Sequence, residues 1–356
     1  MDRMRSPTLA LLMPLALAIV AAGPGPRPAN VAPVASDDLP QPLSAAIAGG
    51  VAKDAVRRIL LQPYATATAT PLGDPAWNGS MDELHALQAA HQADLVLADG
   101  ATLAAGCKGG VFDKLDWSAL GRNRFVPDAA TDCGAGAYLA ATVLAWDRDK
   151  VQGAPGWDDF WDVAKHPGRR GLRRAARGNL EIALLADGVA MGDVYRTLRS
   201  PDGVDRAFRK LDQLKPYILW WDQPAQPAQL LATAKVLLTS APASSLPAGS
   251  RAHVGAQWTG SLSEVVSWAS PSGAPHARAA QAAMLVASDA ARQAEFARSS
   301  GLGPATHAGF SLLPDESRAQ NPALPANLQA GLPIDEGFWL DNGEKLEARF
   351  AAWIGK

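Results

Sequence analysis

Five arginines, Arg169, Arg170, Arg173, Arg174 and Arg177, crowd around the His-Pro-Gly turn of GWDDFWDVAKHPGRRGLRRAARGNLEIALLADGV, which runs from Gly156 to Val189. Such a cluster can hold a carboxylate or phosphate through charge-assisted hydrogen bonds, or follow a nucleic-acid backbone. The second use calls for a basic excess, and 33 Lys plus Arg against 35 Asp plus Glu leave a net charge of −2. Nucleic acid is therefore excluded as a partner. In a chain so balanced, arginines flanking a turn read first as a solvated outer face, with an anion site or a docking contact as alternatives. The six histidines, His85, His91, His166, His253, His276 and His307, are dispersed, and His85 and His91 stand six apart, off the spacing that stacks two ligands on one helix face. Asp158, Asp159 and Asp162 share one short helix and read as its wet surface rather than as an acid/base pair. No Gly-x-Ser-x-Gly, His-Glu-x-x-His, Walker loop or strand-to-helix Gly-x-Gly-x-x-Gly is present. No catalytic residue, metal or cofactor is assigned, and the chain does not read as an enzyme.

The elements that position these residues begin after an export signal. Arg3 and Arg5 precede an apolar run, Leu9 to Val20, and Val20-Ala21-Ala22 offers a cleavage site. This predicts a signal peptide over 1–22, cleaved, then a Pro/Gly/Ala-rich flexible lead-in over 23–42 and a periplasmic protein. In that compartment the two cysteines, Cys107 and Cys133, are expected to form a disulfide. Beyond the lead-in, strands alternate with helices, the pattern of a parallel α/β fold in two lobes. Helices are expected at 54–64, 80–92 (Ser80 as cap), 157–163, 179–187, 205–214, 227–234, 277–288 and 341–354. Strands are expected at 43–48, 66–70, 94–98, 137–146, 217–221, 235–240 and 265–269.

At Trp157 a longer pattern emerges. Trp-Asp-Asp-Phe-Trp-Asp, then His-Pro-Gly-Arg-Arg-Gly-Leu-Arg, then Leu-Glu-Ile-Ala-Leu-Leu-Ala-Asp-Gly-Val resembles the second lobe of bacterial periplasmic solute-binding proteins of the spermidine/putrescine type, the receptor subunits of ABC importers. Ala45 to Arg58, Asp94 to Trp117, Phe125 to Lys150, Ala207 to Val236 and Trp268 to Gly273 are similar to the family's further segments in the same order. The resemblance implies a two-lobed periplasmic binding protein fold, type II-like, with crossover strands and a ligand cleft between the lobes. It places lobe 1 at 43–142 plus 267–305 and lobe 2 at 143–266 plus 306–356. It implies a monomer that captures a small solute, a polyamine-like cation by default, and delivers it to a membrane permease. In this family the Pro-Gly-Arg turn lies outside lobe two, in keeping with a solvated arginine face.

The same resemblance points to the ligand contacts. Asp222, after Trp220-Trp221 at a strand end, would take a cationic group while Trp221 stacks on it; the alternative is a turn residue beside core tryptophans. Asp99 ends a lobe-one strand and could reach the cleft or simply start a turn. Glu264, near the return crossover, could replace an acid the family places where Val266 stands. Trp258 reads as a loop tryptophan, lining the cleft or packing under the loop. Glu181, inside an apolar run, could point into the cleft but reads first as an exposed helix residue. Ala48 and Pro242 replace polar or aromatic residues of the polyamine cage, so a different, even anionic, solute is the second reading. A degenerate receptor with a sensory or partner-binding role and a secreted hydrolase complete the alternatives.

Overall fold

The structure, a computed structural model, describes residues 42–50, 52–246 and 253–355. The signal peptide at 1–22 and all but the last residue of the lead-in lie outside the described residues. Among the described residues ten strands form one mixed sheet: β1 (Leu43–Ile47), β2 (Leu72–Gly73), β3 (Leu95–Ala98), β4 (Ala135–Asp147), β5 (Arg170–Arg173), β6 (Ile218–Trp221), β7 (Leu238–Pro242), β8 (Val254–Ala269), β9 (Gly303–Pro304) and β10 (Leu332–Pro333). The order is β2-β1-β3-β8-β4-β7-β5-β6, with β10 on β8 and β9 on β4. The apolar runs of β1 and β3 pair in parallel and are buried, as helix-covered parallel strands must be.

Two strands exceed ordinary length and hold the architecture together. β4 has 13 residues and β8 has 16, and they pair antiparallel from Ala135↔Trp268 to Asp147↔Val254. One end of this ribbon enters a core with Leu43, Ile47, Leu60, Leu95, Leu139, Trp268 and Phe296. Its other end enters a second core with Leu144, Trp157, Phe160, Leu180, Phe208, Leu262, Phe338 and Phe350. The molecule is thus a two-lobed periplasmic binding protein fold whose lobes share a crossover ribbon. Between the paired positions Thr142↔Leu262 and Leu144↔Gln257 the register shifts, so β8 carries extra residues midway along. Gly260, at φ 72°, lies within them, and its carbonyl accepts Trp157 Nε1–H at 2.8 Å. Phe310, Ala323 and Leu328 pack on the first core, and Leu332 joins the second.

Most sequence expectations hold in kind. Ser80 caps the Met81–Ala89 helix, its side chain accepting from Glu83 N. The Pro201–Leu214 helix buries Phe208 and Leu211. The strand expected at 66–70 is absent: Gln62–Thr68 is helical and continues a π-helical turn, Val56–Leu61. There Val56, Ile59, Leu60 and Leu61 all need burial, and widening the turn broadens the face that reaches the core. Cys107 and Cys133 form a disulfide, Cα to Cα 5.8 Å, tying the Gly100–Lys108 helix to the approach to β4. Among the described residues no helix is long and apolar enough to cross a membrane.

Candidate functional site

In the second lobe β5, β6 and β7 end side by side, at Arg173, Trp221 and Pro242. Strand ends in open α/β sheets leave side chains and backbone groups free to meet a ligand. A cavity of about 320 Å³ lies there, lined by Arg173, Arg177, Trp221, Asp222, Ser240, Pro242, Ser244 and, from the crossover ribbon, Thr142, Leu262 and Glu264.

The five arginines divide: Arg169, Arg173 and Arg174 are exposed, as a solvated face requires, while Arg170 and Arg177 are drawn in. Arg170 is fully buried and donates to four carbonyls, Phe160 and His166 at 2.7 Å, Gly168 at 2.8 Å and Asp162 at 3.2 Å. It pins the helix Trp157–Trp161 to β5, and burial lowers its pKa to about 10. Arg174 pairs with Asp222 at 3.3 Å on the surface. Arg173 reaches the cavity and has no ion-pair partner among the described residues.

Arg177 is the centre of the site. It donates from both Nη atoms to Glu336 at 2.7 Å and from Nη2 to Glu264 at 3.2 Å. Its backbone N–H and that of Ala176 donate to Glu347, so the C-terminal helix Glu336–Ile354 grips this loop twice. Gly178 follows at φ 90° and opens the helix Asn179–Ala186, a backbone shape that favours glycine. Burial works against the Arg177 charge, but the bond and charge of Glu336 outweigh it and hold the guanidinium protonated. The Glu336 carboxyl is pushed up by burial, with Glu264 and Asp99 adding repulsion against the pull of Arg177. Because the guanidinium keeps its charge, the excess of acid over base around it is the feature that matters. Tyr138, paired with Val266 on the ribbon, is likewise pushed up by burial and then by Glu264 and Asp99. A Cβ on Gly100 would overlap the Glu336 carboxylate, so this acid sits against the start of a first-lobe helix.

The residues singled out in sequence are thus partly gathered. Glu264 reaches the cavity and touches Arg177. Trp221 and Asp222 line it, Trp221 being 3% exposed with Nε1 buried and unpartnered. Ser240 Oγ, also on the wall, is buried and unpartnered too. Asp99 caps the Gly100–Lys108 helix by accepting from Thr102 N at 2.8 Å, and contributes charge from beside the cavity. Trp258 is not a loop residue: it lies in β8 at the register shift, packs in a core with Ala243 and Leu246, and does not line this cavity. Glu181 is not exposed. Its fully buried carboxylate accepts from Gly178 N at 2.9 Å, Tyr195 Oη at 3.0 Å and Trp339 Nε1 at 2.6 Å. Sequence reasoning missed Ser240 and Glu336, and held Arg173 and Arg177 only as members of a cluster for which an anion site was an alternative. Only the Arg177-Gly178 pair ahead of an apolar helix hinted at a special backbone there. Among the described residues no group of three His, Cys, Asp or Glu is arranged to hold a metal ion.

Two lobes on a shared ribbon, with a charged cavity where strands end, define a solute-binding architecture. The chain belongs to the bacterial extracellular solute-binding protein family, whose model matches residues 72–326. That family consists of binding proteins, not enzymes, and works outside the cytoplasm. The gamma-aminobutyric acid-binding protein of Pseudomonas aeruginosa is 37% identical over 314 residues, covering 86% of this chain and 89% of its own. A solved GABA receptor is 27% identical with a TM-score of 0.79, over 88% of this chain and 97% of its own. The spermidine/putrescine-binding protein of Streptococcus pneumoniae shares the fold alone, at 15% identity and TM-score 0.69 over 88% of this chain and 99% of its own.

Proposed function

We propose that the protein is the periplasmic receptor of an ABC importer for a small ω-amino acid of the γ-aminobutyrate type, captured by hinge closure and handed to a membrane permease. We take the lobes as 43–142 with 267–330, and 143–266 with 331–356. The observation that carries the reading is a cavity wall bearing both signs of charge together with unused buried donors. Arg173 reaches the cavity and suits a carboxylate, beside Trp221 and Ser240, whose Nε1–H and Oγ–H are buried without a partner behind the wall. Glu264 uses Oε2 for Arg177, leaving Oε1 for an ammonium, with Asp222 on the same wall. The GABA-binding relatives point the same way.

This revises the polyamine default. Each ammonium of a polyamine needs carboxylates or aromatic faces to replace its hydration. Here two arginines line the cavity, a single tryptophan supplies the aromatic wall, and Ala48, Pro242 and Val266 stand where a cage would be built. A zwitterion drives closure by binding the closed form better than the open one.

Isothermal titration of the mature protein with γ-aminobutyrate and with putrescine tests the proposal. Binding of the amino acid, weakened in Arg173→Ala, is the expected result. Heat from putrescine alone would overturn it.

A further inference from the structure

Asparagine is followed by glycine twice in the chain, at Asn78-Gly79 and Asn342-Gly343. Such a pair carries a reaction of its own. The backbone nitrogen of the glycine can attack the asparagine Cγ, because glycine has no side chain to obstruct the approach and reaches backbone shapes that other residues avoid. The fold decides the outcome through three things: the glycine N–H, the side-chain amide and the room around them.

At Asn78-Gly79 all three are open. Asn78 is exposed, and both residues lie outside helix and strand. Gly79 stands at φ 93°, and neither its N–H nor Asn78 Nδ2 has a hydrogen-bond partner among the described residues. A Cβ placed on Gly79 would meet only Ala48 Cβ, at 3.6 Å, so the turn rests beside the end of β1. The turn is nonetheless held in shape. Trp77 is buried and donates from Nε1 to Ser80 O at 2.9 Å, and Asn78 N–H donates to Glu83 Oε2 at 2.7 Å. Ser80 N–H donates to Asn78 Oδ1 at 2.8 Å. That last bond fixes the side-chain carbonyl alongside Gly79 and draws electron density from Cγ. The positive end of the helix Met81–Ala89 lies just beyond, where it favours a developing oxyanion.

Asn342-Gly343 is the internal contrast. It lies inside the helix Glu336–Ile354, where the backbone ladder uses the Gly343 N–H. Asn342 Nδ2 donates to Phe338 O at 2.9 Å. Nucleophile and leaving group are both engaged.

We propose that Asn78 is a site of spontaneous covalent modification, deamidation through a cyclic imide, with water as the only co-reactant. Gly79 N gives its proton to a solvent base and bonds to Asn78 Cγ. The Cγ–Nδ2 bond breaks, and the amide nitrogen leaves as ammonia after taking a proton from water. Water then opens the five-membered ring at either carbonyl, leaving an aspartyl or an isoaspartyl residue. Each event exchanges ammonia for water and adds a negative charge beside the end of β1. In the isoaspartyl form the main chain runs through the former side chain and is longer by a carbon, just ahead of the Ser80 cap.

The test holds the mature protein in mildly alkaline buffer for days, folded and in guanidinium chloride, and maps its peptides by mass spectrometry. In the folded protein the Asn78 peptide is expected to gain the mass of an acid in place of an amide and to split into aspartyl and isoaspartyl forms. It should do so at least about ten-fold faster than the Asn342 peptide, a ratio that a modest difference in barrier supplies. In guanidinium chloride, where both pairs lie in open chain, the two rates should converge. Asn78→Ser, at an exposed position where serine offers no amide to lose, should abolish the conversion of this peptide. No conversion at Asn78 in the folded protein, equal conversion at Asn342, a rate ratio that survives in guanidinium chloride, or a like mass gain in the Asn78→Ser peptide would overturn the proposal.

Discussion

Replacing Arg177 by methionine removes the cation that pairs with Glu336 and Glu264 and feels the charge of Asp99. Arg177 and Glu336 are 21% and 19% exposed at their side chains, and Glu264 38%. Breaking a fully buried pair by deleting one partner costs about 3–5 kcal/mol, mostly from the charge left behind. With a fifth of each side chain in contact with water, the loss here should be about 2–3 kcal/mol, a melting shift of about 5 °C for a chain of this size. The stranded acids should be partly relieved by Glu336→Gln, so the double variant should recover about 1 kcal/mol relative to the sum of the singles. The pH dependence has a fixed sign. Glu336 already has a raised pKa in the folded protein, and losing Arg177 raises it further. An acid with a raised folded pKa contributes stability below its unfolded pKa and loses it as pH rises through the folded value. The variant's deficit should therefore be small near pH 4 and grow toward neutrality. Urea unfolding followed by tryptophan fluorescence, for the wild type, both singles and the double at pH 4.5 and 7.5, measures all of this. Additive singles, or a deficit that ignores pH, would refute the account of Arg177 as the counter-charge of an acid cluster.

Three further outcomes follow from single residues. Trp221→Phe keeps a ring but deletes an unpartnered buried N–H, so stability should hold while γ-aminobutyrate affinity drops by about 1 kcal/mol, read by calorimetry. Opening the Cys107–Cys133 bridge, which spans 26 positions, should cost about 3.5 kcal/mol under the chain-entropy account, measurable as the urea midpoint of Cys107→Ser/Cys133→Ser. Glu181→Gln turns an amide toward the Gly178 N–H and should cost about 1–3 kcal/mol at neutral pH. Burial raises the Glu181 pKa, so the wild type should lose stability relative to this variant as pH climbs from about 4.3, the ordinary value.

The scaffold was legible where a short stretch of chain is physically sufficient. Period and the Ser80 cap placed the helix at Met81–Ala89, and period alone placed the one expected from Asp205, which the Ser200 cap and Pro201 start four residues earlier. The apolar run of β4 announced a strand, but not that its antiparallel partner β8 would run 16 residues. Only Val265 to Ala269 of β8 has strand-like apolarity; the rest, from Gln257 to Glu264, is polar and glycine-bearing and becomes strand because β4 pairs with it. The helix at Gln62–Thr68 failed for the opposite reason. Thr and Ala alternate there like a strand, but the π-helical turn before it carries the chain forward against the core.

The site resisted reading because its meaning lies in distances along the chain that no local pattern spans. Arg177 meets Glu264 across 87 positions and Glu336 across 159. The five arginines look alike in sequence, and the fold then assigns them by where β5 begins and ends. Arg170, at its start, is drawn inside, where its guanidinium meets four carbonyls of the preceding helix and turn. Arg173, at its end, reaches the cavity. Arg177, at the head of the next helix, is the position that the C-terminal helix can reach with Glu336 and Glu347 together. Glu336 also sits against Gly100, so the lobe closure proposed above would shift the carboxylate that neutralises Arg177 against the start of the Gly100–Lys108 helix. A ligand carboxylate that competes for Arg177 would release Glu336 at that contact. Capture of solute and rotation of the lobes would thereby share one ion pair.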